Sequence, residues 1–415
     1  MPTRPTAADV DAAAGRLAGT VPRTPLLPNA RLSALTGSRV LLKREDLQTV
    51  RSYKVRGATN FIAGLDDEAR ARGVVCASAG NHAQGVAYAG ARLGVRARIY
   101  LPRTTPRQKR DRVAALGGDW VEVVVTGDIY DDAAAAALED SQRSGATLVH
   151  AFDAAPVVAG QGTVIREAVE QLGHAPDVVV VPLGGGGLIA GTITCLRELH
   201  PQCRVVGVEP AGVASMVAAL DAGHPVDLAS VDPFVDGAAV SRVGDVTFPI
   251  VQDSRCEVVT VSEGAVCVEM LALYQSDGVI AEPAGALASA ALADLDLRPG
   301  QTVIAILSGG NNDVTRYAEI VERALVHEGR KHYFLVEFPQ EPGALRRFLD
   351  EVLGPDDDIT LFEYVKHNNR ETGPALVGIE LGSPADLTAL LDRMEAAPPR
   401  IERVPPDSPL FRFVL

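Results

Sequence analysis

The chain has 415 residues, 47% of them hydrophobic and 22% charged, which supports two or three soluble domains around sizeable apolar cores. A formal net charge of -14 argues against nucleic acid or an anionic membrane surface as the main partner, although phosphate can still bind locally. Five cysteines without a CxxC pair argue against a disulfide framework or a zinc site, and with no signal-peptide core and no apolar run of roughly 18 residues a cytoplasmic protein is expected.

From the N-terminus, short β-branched runs alternate with Ala-rich helical patterns: RVLLK, GVVCAS, RARIYL, WVEVVV, TLVHAF, DVVVVPL, RVVGVEP and TVIAILS. Strands alternating with helices imply βαβ units around largely parallel sheets, whose buried strands read as continuous apolar runs. The runs are too many for one small sheet. The expected class is therefore α/β, with two open parallel-sheet lobes over residues 1–325 and a cleft between them. After the helix DVTRYAEIVERALVHEG the pattern changes, and residues 330–415 read as βαββα, the size of one small α+β module with its boundary near Gly329.

Four strand ends carry polar groups suited to chemistry. Lys54, in RSYKVRGATN, follows RVLLKRED and opens a helix; a single lysine of this kind is ordinarily a solvated surface charge. Next, GVVCASAGNH places Ser78, Gly80 and Asn81 where strand gives way to helix, with free N–H groups for an anion and an Asn81 amide able to donate. Ser78 or Asn81 can equally be a helix cap, and His82 either a base or an ordinary first-turn residue. Third, DVVVVPLGGGGLIAG runs from an apolar strand through Gly184, Gly185, Gly186 and Gly187 into a helix. Converging N–H groups and a helix N-terminus make a phosphate cradle; a flexible turn is the plainer alternative. A dinucleotide fingerprint fits only loosely, with Glu209 as its distant acidic residue. Fourth, TVIAILSGGNND ends its strand at Ser308, a hydroxyl that can pair with a ring nitrogen or simply cap a turn.

Strand carboxyl ends are where open α/β sheets bind ligands. A phosphate cradle, a polar partner for a ring nitrogen and a lysine are what a pyridoxal phosphate enzyme requires. SYKVRGA, SAGNHAQG, AGQGT, GGGGL, EPAGA and LSGGNND occur in the order found in the threonine ammonia-lyases (threonine dehydratases), and the chain resembles that family of tryptophan-synthase-β-like pyridoxal phosphate enzymes along its whole length. FLVEFPQEPGALRRFL resembles the family's ACT-like regulatory domain.

The resemblance implies pyridoxal 5'-phosphate as cofactor and β-elimination of water from L-threonine, giving 2-oxobutanoate and ammonia, with L-serine as the alternative substrate. It implies that Lys54 joins the cofactor aldehyde and later takes the substrate α-proton, with Tyr53 packed on the cofactor. Asn81 would bond the phenolic oxygen, Gly184 to Gly187 with Leu188 the phosphate, and Ser308 the pyridine nitrogen. The loop Ser78, Ala79, Gly80, Asn81 and His82 would grip the substrate carboxylate, and Gly237 and Glu282 would line the pocket. The tail would bind isoleucine as inhibitor with valine opposing it, in a homotetramer. Serine dehydratase and serine racemase share much of this site. GVEPAGVASM puts Ser215 near the place of a racemase-type Mg ligand, so no metal is expected. A dehydrogenase and a catalytically silent amino-acid sensor are the readings from other classes. Arg51 and Arg56 are expected to be solvated or paired with Glu45 and Asp46.

Overall fold

The structure, a computed structural model, describes residues 4–78, 80–364, 371–406, 408, 410 and 411. It contains two compact units, Met1–Asp313 and Val314–Leu415. The first holds β1 (Leu26–Pro28), β2 (Arg39–Arg44), β3 (Val74–Ala77), β4 (Ala97–Leu101), β5 (Val121–Val125), β6 (Thr147–Leu148), β7 (Val178–Pro182), β8 (Arg204–Pro210), β9 (Glu257–Val261) and β10 (Thr302–Leu307).

These strands form a six-stranded sheet of order β1-β2-β10-β7-β8-β9 and a four-stranded sheet of order β5-β4-β3-β6. Every pairing is parallel except the antiparallel β1 with β2. Every residue of β7 and of β10 is buried, which is why VVVVP and TVIAIL read as unbroken apolar runs. One core joins Val179, Val181 and Ile304 to Ile165, Ile189 and Ile193 of the Ala155–Leu172 and Gly187–Leu199 helices. Another joins Val74, Cys76, Ile99 and Leu101 to Ile62 and Val86. Each sheet thus has its own core, giving the expected two lobes of open parallel sheet.

The sequence reading lacks β1 and β9, strands at the margins of the large sheet whose residues are mostly exposed or half-buried. TLVHAF is strand only at Thr147–Leu148. His150 ends it, because its Nδ1 accepts from the N–H groups of Phe152 (3.3 Å) and Asp153 (2.9 Å) and turns the chain out of the sheet.

The second unit contains β11 (Lys331–Pro339), β12 (Asp358–Tyr364), β13 (Thr372–Glu380) and β14 (Arg400–Val404), with helices Ala344–Val352 and Leu387–Ala396 between them. Its antiparallel sheet has the order β12-β13-β11-β14, so the module is βαββαβ and gains β14 over the sequence reading. RIERV buries only Val404 fully, so its pattern is faint, yet it pairs along β11 from Tyr333↔Val404 to Glu337↔Arg400. Phe334, Phe338, Phe348, Val377, Ile379 and Leu390 form the core. The helix Tyr317–His327 falls in this unit, ahead of the Gly329 boundary read from the pattern. It buries Ile320 and Ala324, and Glu322 accepts from the Lys331 ammonium and the Tyr333 hydroxyl of β11.

Candidate active site

β2, β3, β7 and β10 end at Arg44, Ala77, Pro182 and Leu307, and the loops beyond them meet. Lys54 is the first residue of the Lys54–Ala63 helix, with Tyr53 at its N-cap. The preceding segment is stitched to the end of β10: Ser52 bridges to Gly309, Tyr53 N–H donates to the Ser308 carbonyl (3.0 Å), and Gly310 N–H donates to the Arg51 carbonyl (2.9 Å). Backbone pairing therefore makes Lys54 a neighbour of Ser308. Its Nζ donates to the Ala151 carbonyl at 3.1 Å and lies 5.2 Å from the centre of the Tyr53 ring. A neutral carbonyl leaves the amine unlocked by any tight ion pair at this contact.

Beyond Ala151, Phe152 packs onto the glycine loop. A Cβ at Gly185 would stand 2.5 Å from the Phe152 ring, so this glycine is required by close packing as much as by ligand binding. Gly186 adopts φ +91°, a conformation that glycine takes without strain. The Thr247 hydroxyl donates to the Gly185 carbonyl at 2.7 Å, while Asp153 accepts from the N–H groups of Asp245 (2.9 Å) and Val246 (2.7 Å) and so anchors the Thr247–Ser254 helix. Among the described residues the N–H groups of Gly184, Gly185 and Gly186 meet no acceptor, and no side chain caps the Gly187–Leu199 helix. Its first-turn N–H groups, Leu188's included, have no intrahelical acceptor either. This donor set fits a phosphate. Beside Lys54, the Ser52 hydroxyl is buried without a partner among the described residues, a further polar atom open to a bound group.

On the side of β3, Ala79 lies outside the described residues. The Ser78 hydroxyl accepts from Gly80 N–H at 3.2 Å, and a Cβ at Gly80 would meet nothing within 4 Å, so the loop borders open space. The Asn81 amide is held at both ends: Nδ2 donates to Glu282 Oε1 (2.6 Å), and Oδ1 accepts from Asn311 Nδ2 (2.6 Å). Asn311 N–H also donates to Glu282 Oε2 at 3.2 Å. Glu282 is 4% exposed, and burial, with the charge of Asp236, pushes its carboxyl up to about 7 against the hydrogen bonds from Asn81 and Asn311. Its Oε1 would stand 3.5 Å from a Cβ at Gly237 and 2.4 Å from one at Gly309, so it lies over the turn that follows Ser308. Ser308 Oγ is buried and donates to the Ala284 carbonyl at 3.2 Å.

His82 is a poor base here. Its Nε2 is 2.8 Å from the Val149 carbonyl, and burial, then the charge of Lys54, brings it down to about 3, so the ring stays neutral. Glu209 accepts from Met216 N–H (2.7 Å) and Val217 N–H (3.0 Å) at the start of the Ser215–Ala222 helix, a cap in place of a ribose contact. The sequence reading missed Asn311, Phe152, Asp153 and Thr247. Asn311 had a signal, three residues beyond Ser308 in SGGNND; the others act through long-range packing that leaves no local pattern.

Residues 17–309 match the pyridoxal-phosphate dependent enzymes, and residues 322–414 match the C-terminal regulatory domain of threonine dehydratase. The chain is 61% identical over 410 residues to the biosynthetic L-threonine dehydratase IlvA of Mycobacterium tuberculosis, covering 98% of this chain and 96% of that one. Among solved structures it resembles the processed form of threonine deaminase isoform 2 from Solanum lycopersicum (TM-score 0.72, 38% identity, 78% of this chain and 96% of that chain). It also resembles maize serine racemase (TM-score 0.71, 31% identity, 78% of this chain and 99% of that chain). Pyridoxal phosphate is the cofactor of this family, and the glycine-loop donors, Lys54 and Ser308 are groups that fit it. With both units of the chain matched, the protein belongs to the pyridoxal-phosphate dependent enzymes and, within them, to the biosynthetic threonine dehydratases.

Proposed function

We propose that the protein converts L-threonine to 2-oxobutanoate and ammonia as the first step of isoleucine biosynthesis, with L-serine as a second substrate of the same chemistry. Residues 1–313 are the catalytic part and 314–415 the regulatory part, which binds isoleucine as inhibitor and valine as its opponent in a cytoplasmic homotetramer. The relatives' biosynthetic role and the regulatory-domain match support this reading.

The observation that carries the catalytic half is the position of Lys54, paired through backbone to the Ser308 turn and joined through Ala151 to the residue that packs on the glycine loop. When bound, pyridoxal phosphate supplies an electron sink for the charge left by loss of the substrate's α-proton. Gly184 to Leu188 hold the phosphate through N–H groups. Lys54 Nζ would bind the cofactor and take the α-proton, a task that His82 cannot share because burial makes its ring too weak a base and its Nε2 is held on the Val149 carbonyl. Ser308 offers the ring nitrogen a neutral hydroxyl, so no carboxylate there enforces protonation. Asn81, oriented by Glu282 and Asn311, would meet the phenolic oxygen, Tyr53 would pack on the ring, the loop from Ser78 to His82 would hold the substrate carboxylate, and Gly237 and Glu282 would line the pocket.

Purified protein should show the visible absorption band of lysine-bound cofactor and release 2-oxobutanoate from L-threonine faster than 2-oxo acid from L-serine. Lys54→Ala should lose the band and at least roughly 10³-fold in turnover. Retention of both would sink the assignment.

A further inference from the structure

A cavity of about 590 Å³ opens at the amino-terminal edge of the large sheet, where β8 and β9 begin and the Gly187–Leu199 and Thr247–Ser254 helices end. The candidate active site lies at the other end of these strands. At roughly 3.3 Å per residue, the length of β8 alone keeps the two apart by about 20 Å. The volume is that of a small-molecule site, and the make-up is of the same kind, an apolar floor with a few convergent charges.

Ile193, Leu196 and Val205 give the floor, all buried. Cys203 beside them is a neutral thiol, since burial pushes it up to about 12. The rim is basic, with Arg197, Arg204, Arg255 and His200 facing Asp253 and Glu257. Both carboxylates are already matched, Glu257 by Arg204 and Asp253 by Arg4. Asp253 is lowered first by its hydrogen bond from Arg4 and only last by the charge of Arg197. Arg197 and Arg255 have no side-chain hydrogen bond or ion pair among the described residues, an excess of positive charge in a chain of net charge -14.

Arg255 carries a second signal. It closes the Thr247–Ser254 helix at φ +53°, a left-handed position where glycine is the residue without strain. The other described non-glycine residue at positive φ is Arg51, next to the candidate active site. Side chains kept in such a conformation cluster where function needs them.

We propose that this cavity is a second ligand site for a small anionic molecule, its carboxylate or phosphate held by Arg197 and Arg255 and its short apolar body laid over Ile193, Leu196 and Val205. Phenyl phosphate titrated calorimetrically into the holoenzyme at low ionic strength should bind once per chain. Arg197→Ala and Arg255→Gly should each weaken it by roughly threefold to fivefold, the size of one exposed charged contact, with L-threonine turnover unchanged. Arg255→Gly should leave Tm unchanged or higher, because glycine relieves the backbone, which separates a ligand role from a structural one. No binding by the wild type, or an affinity in either variant equal to that of the wild type, overturns the proposal. A change in light-scattering mass with Arg255→Gly also overturns it, by making the face an interface between copies.

Discussion

Two residues beyond Lys54, Arg56 is held among buried charges. It donates to Glu45 (2.6 Å) and Glu167 (3.2 Å), and Glu167 also takes the ammonium of Lys43 (2.6 Å), whose side chain is fully buried. Two cations and two anions cancel, which is what permits their burial. Pairing with Glu45 follows the sequence expectation, whereas Asp46 is taken by Arg44 at 2.7 Å, and the solvated alternative for Arg56 is excluded. The cluster fixes the first turn of the helix that presents Lys54. Glu282 is a different case, a buried carboxyl with hydrogen-bond donors but, among the described residues, no cation in ion-pair contact. A carboxyl whose pKa rises on folding binds its proton more tightly in the folded chain. Its contribution to stability is fully present below about 4.5 and is lost as pH rises through about 7. Glu282→Gln should therefore reduce the loss of stability between pH 5 and pH 8 by up to roughly 2–3 kcal/mol, read from urea unfolding at both pH values. An unchanged pH slope would count against the buried carboxyl.

Among the elements, the Tyr317–His327 helix shows most directly how packing assigns a segment that its own pattern leaves open. Its amphipathic face suits either unit. Ile320, Ala324 and the bonds from Glu322 to Lys331 and Tyr333 tie it to β11. A chain ended at Asp313 should accordingly be more soluble and melt more sharply than one ended at Gly329, which would carry the helix without β11 to cover Ile320. Equal melting curves for the two truncations would contradict this assignment. The glycine loop makes a related point, since Phe152 and Thr247, remote in sequence, dictate its shape as closely as any ligand does.

For the whole molecule, the division into two units separates two measurable properties. If effectors act through the second unit, the chain ended at Asp313 should keep L-threonine turnover within about threefold of the full chain and lose inhibition by isoleucine. Initial rates across an isoleucine series, on both proteins, decide it; inhibition that survives the truncation would place the effector site in residues 1–313.

The sequence by itself determined the α/β class, the two lobes and the strand ends that matter, because continuous apolar strands and the motifs at their ends are local properties. Lys54, Gly184 to Gly187 and Ser308 were legible for that reason. Edge strands β1, β9 and β14 were not, since half-exposed strands lack a clear apolar period. Only the tertiary structure decided what each polar group does with its neighbours. It joined Asn81 to Glu282 and Asn311, turned His82 onto a carbonyl, made Glu209 a helix cap and buried Arg56 among charges. Hydrogen bonds and burial between residues seven to 230 positions apart leave no periodicity in the chain, and they set both the protonation and the direction of the groups the candidate site depends on.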